Sequence, residues 1–241
     1  MKQNINFEFL DFMTECGALL FGDFTLKSGR KSPYFINTGE YKTGLQLSKL
    51  GDFYANLILN SLLNKKLNFN VLYGPAYKGI PLAAITAAKL ASFGIDLNVS
   101  FNRKERKGHG EDKLIMGYVP KNGDRIAIIE DVTTAGTSIR ETISLLEELK
   151  IDAKIVALYI SVDRMERGTE NSPLQGVSSG RGGLTAIGQL KQEYGIDVYI
   201  LATAADIITY LENTPKIENA KTHAENMRKY LNAYGVINAE C

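Results

Sequence analysis

Cysteine is scarce in this sequence. The 241 residues hold two, Cys16 and Cys241, with no metal-ligand spacing between them. A cysteine-built metal site is not expected, and a reducing cytoplasm is the expected location. An excess of either charge is also missing, with 28 Lys and Arg against 27 Asp and Glu. No overall basic field would draw the chain to nucleic acid or to an anionic membrane, so any attraction for anions has to be local. Long apolar runs are absent too. None approaches the ~20 residues that cross a bilayer, and the opening "MKQNINFEFLDF" has no unbroken apolar core behind a basic head. We therefore expect neither export nor a membrane span. No internal repeat and no convincing shift in composition divide the chain, which reads as one domain over 1–241. Two phosphate-binding signatures are also missing: there is no GxxxxGK[ST] and no GxGxxG.

What is present is a large apolar fraction, 44%, arranged in two rhythms. Near the start, Phe9, Phe12, Met13, Cys16, Leu19 and Leu20 recur at three- and four-residue spacings, which predicts a helix that "FGD" ends. "LKSGRKSPYFIN" reads as a turn between two extended pieces, and Leu47, Leu50, Tyr54, Leu57 and Ile58 predict a second helix. From about residue 70 the rhythm becomes strand, helix, strand: "NVLYG", "IPLAAITAAKLASFG", "IDLNVSF", "RIAIIED", a helix from Ile139 to Leu149, "KIVALYISV" and "DVYILA". The apolar runs do not alternate with polar residues, as expected of a mostly parallel sheet covered on both faces. The class is α/β, doubly wound, closed by two helices at about 205–211 and 216–234. "NRKERKGHGEDK" and "RGTENSPLQGVSSGRGG" read as loops.

The chemistry concentrates in "IAIIEDVTTAGTS", Ile126 to Ser138, where two carboxylates arrive at the end of a buried strand. In parallel α/β sheets ligands bind at the carboxyl ends of the strands. The turn that follows offers backbone N–H groups, the positive end of a helix dipole and the hydroxyls of Thr133, Thr134, Thr137 and Ser138, which together make a phosphate cradle. Helix capping alone would need only one acid. Two acids beside a phosphate cradle suit a sugar phosphate.

"IIEDVTTAGTS" resembles the phosphoribosyl-diphosphate (PRPP) motif of type I phosphoribosyltransferases. "LKSGRKSPYFIN", "YGPAYKGIPLA", "NRKERKGHG" and "DRMERG", in that order over residues 26–168, narrow the resemblance to the orotate phosphoribosyltransferase family. The resemblance implies a mostly parallel twisted sheet flanked by helices, with a small N-terminal hood mainly within 1–40 and a mobile catalytic loop at about 102–114. It implies that PRPP is bound by Lys27, Tyr77, Lys78, Arg103, Lys104, Lys107, His109, Glu130, Asp131, Val132, Thr133, Thr134, Ala135, Gly136, Thr137 and Ser138. Within that set the two acids would meet the ribose hydroxyls. Orotate would be held by Phe35, Ile36, Thr134 and Arg164, and catalysis would rest on Lys107, Arg103, His109 and Asp131. A homodimer is implied, each loop closing over its partner's site, together with Mg2+ held mainly through PRPP and by no dedicated protein ligands.

The physics agrees with these assignments. Displacing diphosphate from an anomeric carbon creates a cationic sugar and an anionic leaving group, so cations such as Lys78, Arg103, Lys104 and Lys107 should surround the latter, and a loop should exclude water. Mg2+ suits diphosphate oxygens. A guanidinium at Arg164 has the shape for a substrate carboxylate. Three departures from the usual family pattern stand out: Glu130-Asp131 in place of two aspartates, Ile36 in place of a second aromatic, and a long loop at 169–183. Two rivals remain open at the level of sequence, a purine phosphoribosyltransferase and a non-catalytic PRPP sensor.

Overall fold

The longest apolar runs become two adjacent parallel strands at the centre of a six-stranded sheet. The computed structural model describes residues 2–26, 29–65, 67–104, 114–133, 136–167 and 185–236. In chain order its elements are α1 (Lys2–Glu15), β1 (Leu19–Thr25), β2 (Lys31–Ile36), α2 (Gly44–Lys65), β3 (Val71–Tyr73), α3 (Gly79–Ser92), β4 (Asn98–Asn102), β5 (Ile115–Gly117), β6 (Arg125–Thr133), α4 (Thr137–Glu148), β7 (Lys154–Asp163), α5 (Ala186–Tyr194), β8 (Asp197–Thr203), α6 (Ala204–Asn213) and α7 (Ala220–Tyr234). A short 3-10 turn, Thr38–Glu40, follows β2.

The sheet order is β5-β4-β3-β6-β7-β8. All neighbours run parallel except β5, which pairs antiparallel with β4. Side chains leave alternate faces of a strand, and β6 shows it: Ala127 and Ile129 enter a core shared with α1, α2, α3, α6 and α7, while Ile126 and Ile128 enter a second core with Ile139, Leu146, Ile187 and Leu190 of α4 and α5. Burial on both faces explains why these strands read as unbroken apolar runs. From β3 the chain winds outward to β4, then returns to β6 on the other side of β3 and winds the opposite way. The boundary between β3 and β6 is therefore the topological switch point, where a ligand crevice is expected at the carboxyl ends.

β1 and β2 form a separate antiparallel hairpin, Leu19 opposite Ile36. It is anchored from the far end of the chain by α7: Tyr34 meets Tyr230 edge-on at 6.2 Å, and Phe21 stacks on His223 at 5.4 Å.

Three elements differ from the sequence reading. The first helix stops at Glu15, and Leu19 and Leu20 belong to β1. Gly17, at φ 71, ends the helix. Ala18 N–H bonds to Met13 C=O at 2.8 Å and Gly17 N–H to Thr14 C=O at 3.0 Å, the paired reverse bonds that close a helix with a left-handed residue. The three-residue edge strand β5 was too short to show a pattern. Helix α5 was hidden beside the glycine- and serine-rich stretch, although Thr185, whose hydroxyl accepts from Gly188 N–H at 3.1 Å, is a start signal.

Candidate active site

Five loops or strand ends meet at the carboxyl edge of the sheet. After β3, the Gly74–Gly79 turn folds so tightly that a Cβ on Gly74 would lie 2.1 Å from the Gly79 carbonyl oxygen. Gly74 N–H bonds to the Ser100 carbonyl at 2.9 Å, and the Asn102 side chain at the end of β4 accepts from Ala76 N–H at 2.9 Å. The turn is thereby fixed against β4 and projects Tyr77 and Lys78 over the switch point.

Across that point stands Asp131. Lys78 Nζ lies 2.9 Å from Asp131 Oδ2 and 2.8 Å from Thr38 Oγ1, and the Thr38 hydroxyl donates to the same Oδ2 at 2.6 Å. The Lys78 side chain is 60% exposed and that of Asp131 only 13%, so the carboxylate is fixed in place while the lysine reaches in from solvent. The backbone beneath them is held too: Tyr54 O–H donates to the Glu130 carbonyl at 2.6 Å, and the Ser161 hydroxyl to that of Asp131. A cavity of about 250 Å³ opens here, lined by Thr38, Tyr41, Leu47, Leu50, Tyr54, Tyr77, Lys78, Pro81, Leu82, Asp131 and Ser161 among others.

Glu130 has a different setting. β6 continues through both acids to Thr133, so strand alternation sends Glu130 to the α4 side and Asp131 to the α3 side. Burial is the main reason that the Glu130 carboxyl titrates at about 7 rather than 4.5; a hydrogen bond from Ser138 lowers it and the charge of Asp131 raises it. Gly136 caps α4, with Thr137 and Ser138 in the first turn, so the helix N-terminus lies beside this carboxyl.

After β4, the Arg103 N–H bonds to the Leu114 carbonyl at 2.9 Å, closing the base of the basic segment, and Lys104 Nζ sits 5.6 Å from the centre of the Tyr77 ring. After β7 comes Arg164, 5% exposed. Its Nε donates to Glu166 at 2.7 Å, its Nη2 to Ser32 at 3.1 Å, and its guanidinium covers the Tyr34 ring at 4.2 Å. Burial works against its charge, while Tyr34 and Glu166 favour it, and the net effect raises its pKa.

Of the residues singled out from sequence, the structure brings Tyr77, Lys78, Arg103, Lys104, Glu130, Asp131, Val132, Gly136, Thr137, Ser138 and Arg164 to this edge, with the backbone of Thr133. Phe35 and Ile36 are strand neighbours on β2 and diverge: Phe35 stacks on Phe24 at 5.5 Å, while Ile36 packs on the main core. Lys27, Lys107, His109, Thr134 and Ala135 lie outside the described residues, as does the long loop at 169–183. Thr38, Tyr54, Asn102, Ser161 and Glu166 are not among the site residues expected from sequence. Only the polar turn at Thr38 and the acid in "DRMERG" gave any local signal.

Known proteins place this architecture. Residues 38–174 match the phosphoribosyl transferase domain family. An orotate phosphoribosyltransferase of Clostridium beijerinckii is 45% identical over 207 residues, covering 86% of this chain and 85% of the relative. The chain belongs to the orotate phosphoribosyltransferase family. A family member from Lachnoclostridium phytofermentans is 43% identical over 235 residues, covering 95% of this chain and 96% of its own. The crystal structure of the Francisella tularensis orotate phosphoribosyltransferase superposes with a TM-score of 0.77 at 34% identity, covering 95% of this chain and 99% of that one. The fold is accordingly the type I phosphoribosyltransferase fold. Among the described residues, no helix is long and apolar enough to cross a membrane.

Proposed function

We propose that the crevice between β3 and β6 transfers the 5-phosphoribosyl group of PRPP to orotate, giving orotidine 5′-phosphate and diphosphate for UMP synthesis in the cytoplasm. The observation that carries the reading is the Lys78–Asp131–Thr38 cluster across the switch point, 2.6–2.9 Å on each side. A carboxylate already holding a hydroxyl and an ammonium is equipped to keep the first and to take ribose hydroxyls in place of the second. The displaced Lys78 then faces the diphosphate. Arg103 and Lys104 add cations from the neighbouring strand end, with Lys107 and His109 supplied by the basic loop, so that charge is stabilised as it develops on the leaving group.

The N-terminus of α4, with Thr137 and Ser138, takes the 5-phosphate, for which helix N–H groups and dipole are suited. Lys27 adds a further cation for PRPP. Phe35 gives the flat pyrimidine a wall, Ile36 contributes through its backbone, and Thr134 and Arg164 bind polar groups of orotate. No group of three potential metal ligands is gathered among the described residues; Mg2+ would be held mainly through PRPP oxygens, since a hard cation on a polyphosphate needs few protein ligands of its own. When bound it neutralises diphosphate charge. The active form is a homodimer in which each loop completes the partner's site.

Asp131→Asn tests the central contact. It should raise the PRPP KM and lower kcat at least about tenfold, as for loss of a charged hydrogen-bond acceptor. Unchanged kinetics would remove Asp131 from the ribose site.

A further inference from the structure

We propose that Glu166 is the positioning residue for orotate recognition: it fixes which edge of the Arg164 guanidinium faces the substrate carboxylate. This rests on the proposed role of Arg164. A guanidinium carries five N–H donors in a planar fork, and bidentate capture of a carboxylate uses one pair of them in parallel. Arg164 directs Nε into Glu166 Oε1 at 2.7 Å and one Nη2 hydrogen to Ser32 at 3.1 Å. With the plane fixed on Tyr34 at 4.2 Å and Tyr230 also bonded to the guanidinium, rotation is blocked and the N–H groups left over at the terminal nitrogens are those available to a ligand.

Glu166 is itself held from two further elements. The Tyr230 hydroxyl of α7 donates to Oε1 at 2.8 Å, and Arg30, in the turn between β1 and β2, approaches Oε2 at 3.5 Å. Two guanidiniums share this carboxylate, so its charge is divided and Arg164 keeps positive character for a third partner. The Glu166 and Arg164 side chains are only 12% and 6% exposed, where hydrogen bonds between charged groups are strong and geometry is retained.

The experiment compares orotate with uracil, which has the same ring and no carboxylate, for Arg164→Ala, Glu166→Gln and Tyr230→Phe, with thermal melts to confirm folding. The measured quantity is the ratio of kcat/KM for orotate to that for uracil. Arg164→Ala should collapse this ratio. Glu166→Gln, which keeps the shape and removes the charge, should lower it about tenfold or more through the orotate KM, leaving the PRPP KM within about twofold. Tyr230→Phe alters no charge and should shift it about two- to threefold in the same direction; it also serves as the test should Glu166→Gln fail to fold. A wild-type ratio in folded Glu166→Gln, or in Tyr230→Phe if that is the only folded variant, alongside a collapsed ratio in Arg164→Ala, overturns the role of Glu166. A wild-type ratio in Arg164→Ala overturns the carboxylate reading itself.

Discussion

At the scale of residues, strand alternation separates two acids that are adjacent in sequence, and their environments lead to different tests. The Glu130 carboxyl holds its proton in the folded state up to about pH 7, against 4.5 for the ordinary group. A raised carboxyl pKa means that the folded state binds the proton more tightly than the unfolded chain, so its contribution is fully present below about pH 4.5 and is lost as pH rises through 7. The Glu130→Gln variant should therefore gain in Tm relative to wild type as pH is raised from 5 to 8. The gap corresponds to up to ~3 kcal/mol, and parallel melting curves would contradict it. For Asp131 the neighbour to change is Thr38, whose hydroxyl donates at 2.6 Å. Thr38→Val should raise the PRPP KM about three- to tenfold, the net worth of one hydrogen bond, with Thr38→Ser restoring it.

Loops and strands explain how much of the site was readable. "IAIIEDVTTAGTS" and "AYKG" were legible because each joins a buried strand to a turn, and their placement at a switch point follows from the strand order. The contacts of Asp131 were not, because a residue at 38 and another at 131 are joined only by the fold. Only the first two residues of β1 mislead: Leu19 and Leu20 continue the apolar period of α1, which Gly17 has already ended. At this scale the Gly74–Gly79 turn gives the clearest test. Because the added Cβ would meet backbone at 2.1 Å, Gly74→Ala should destabilise the fold by about 2 kcal/mol or more and weaken PRPP binding by displacing Lys78. Wild-type melting and binding would show that the turn yields freely.

For the whole molecule, the parallel sheet and its two cores were legible as unbroken apolar runs. The docking of α7 onto the N-terminal hairpin was not, since Tyr34 and Tyr230 lie at opposite ends of the chain. The proposed homodimer with shared loops makes a prediction of its own. Lys107→Ala and Asp131→Asn should each be nearly inactive, and after subunit exchange the mixture should recover roughly a quarter of wild-type turnover, because half the dimers are hybrids with one intact site. No recovery would place loop and site on the same subunit. The central claim, that this crevice joins orotate to PRPP, is tested most directly by following orotate absorbance with PRPP and Mg2+ present, with hypoxanthine, guanine and adenine as alternative acceptors. Orotate absorbance should fall in a PRPP-dependent way, with no turnover of the purines; turnover of purines alone would contradict orotate as the acceptor.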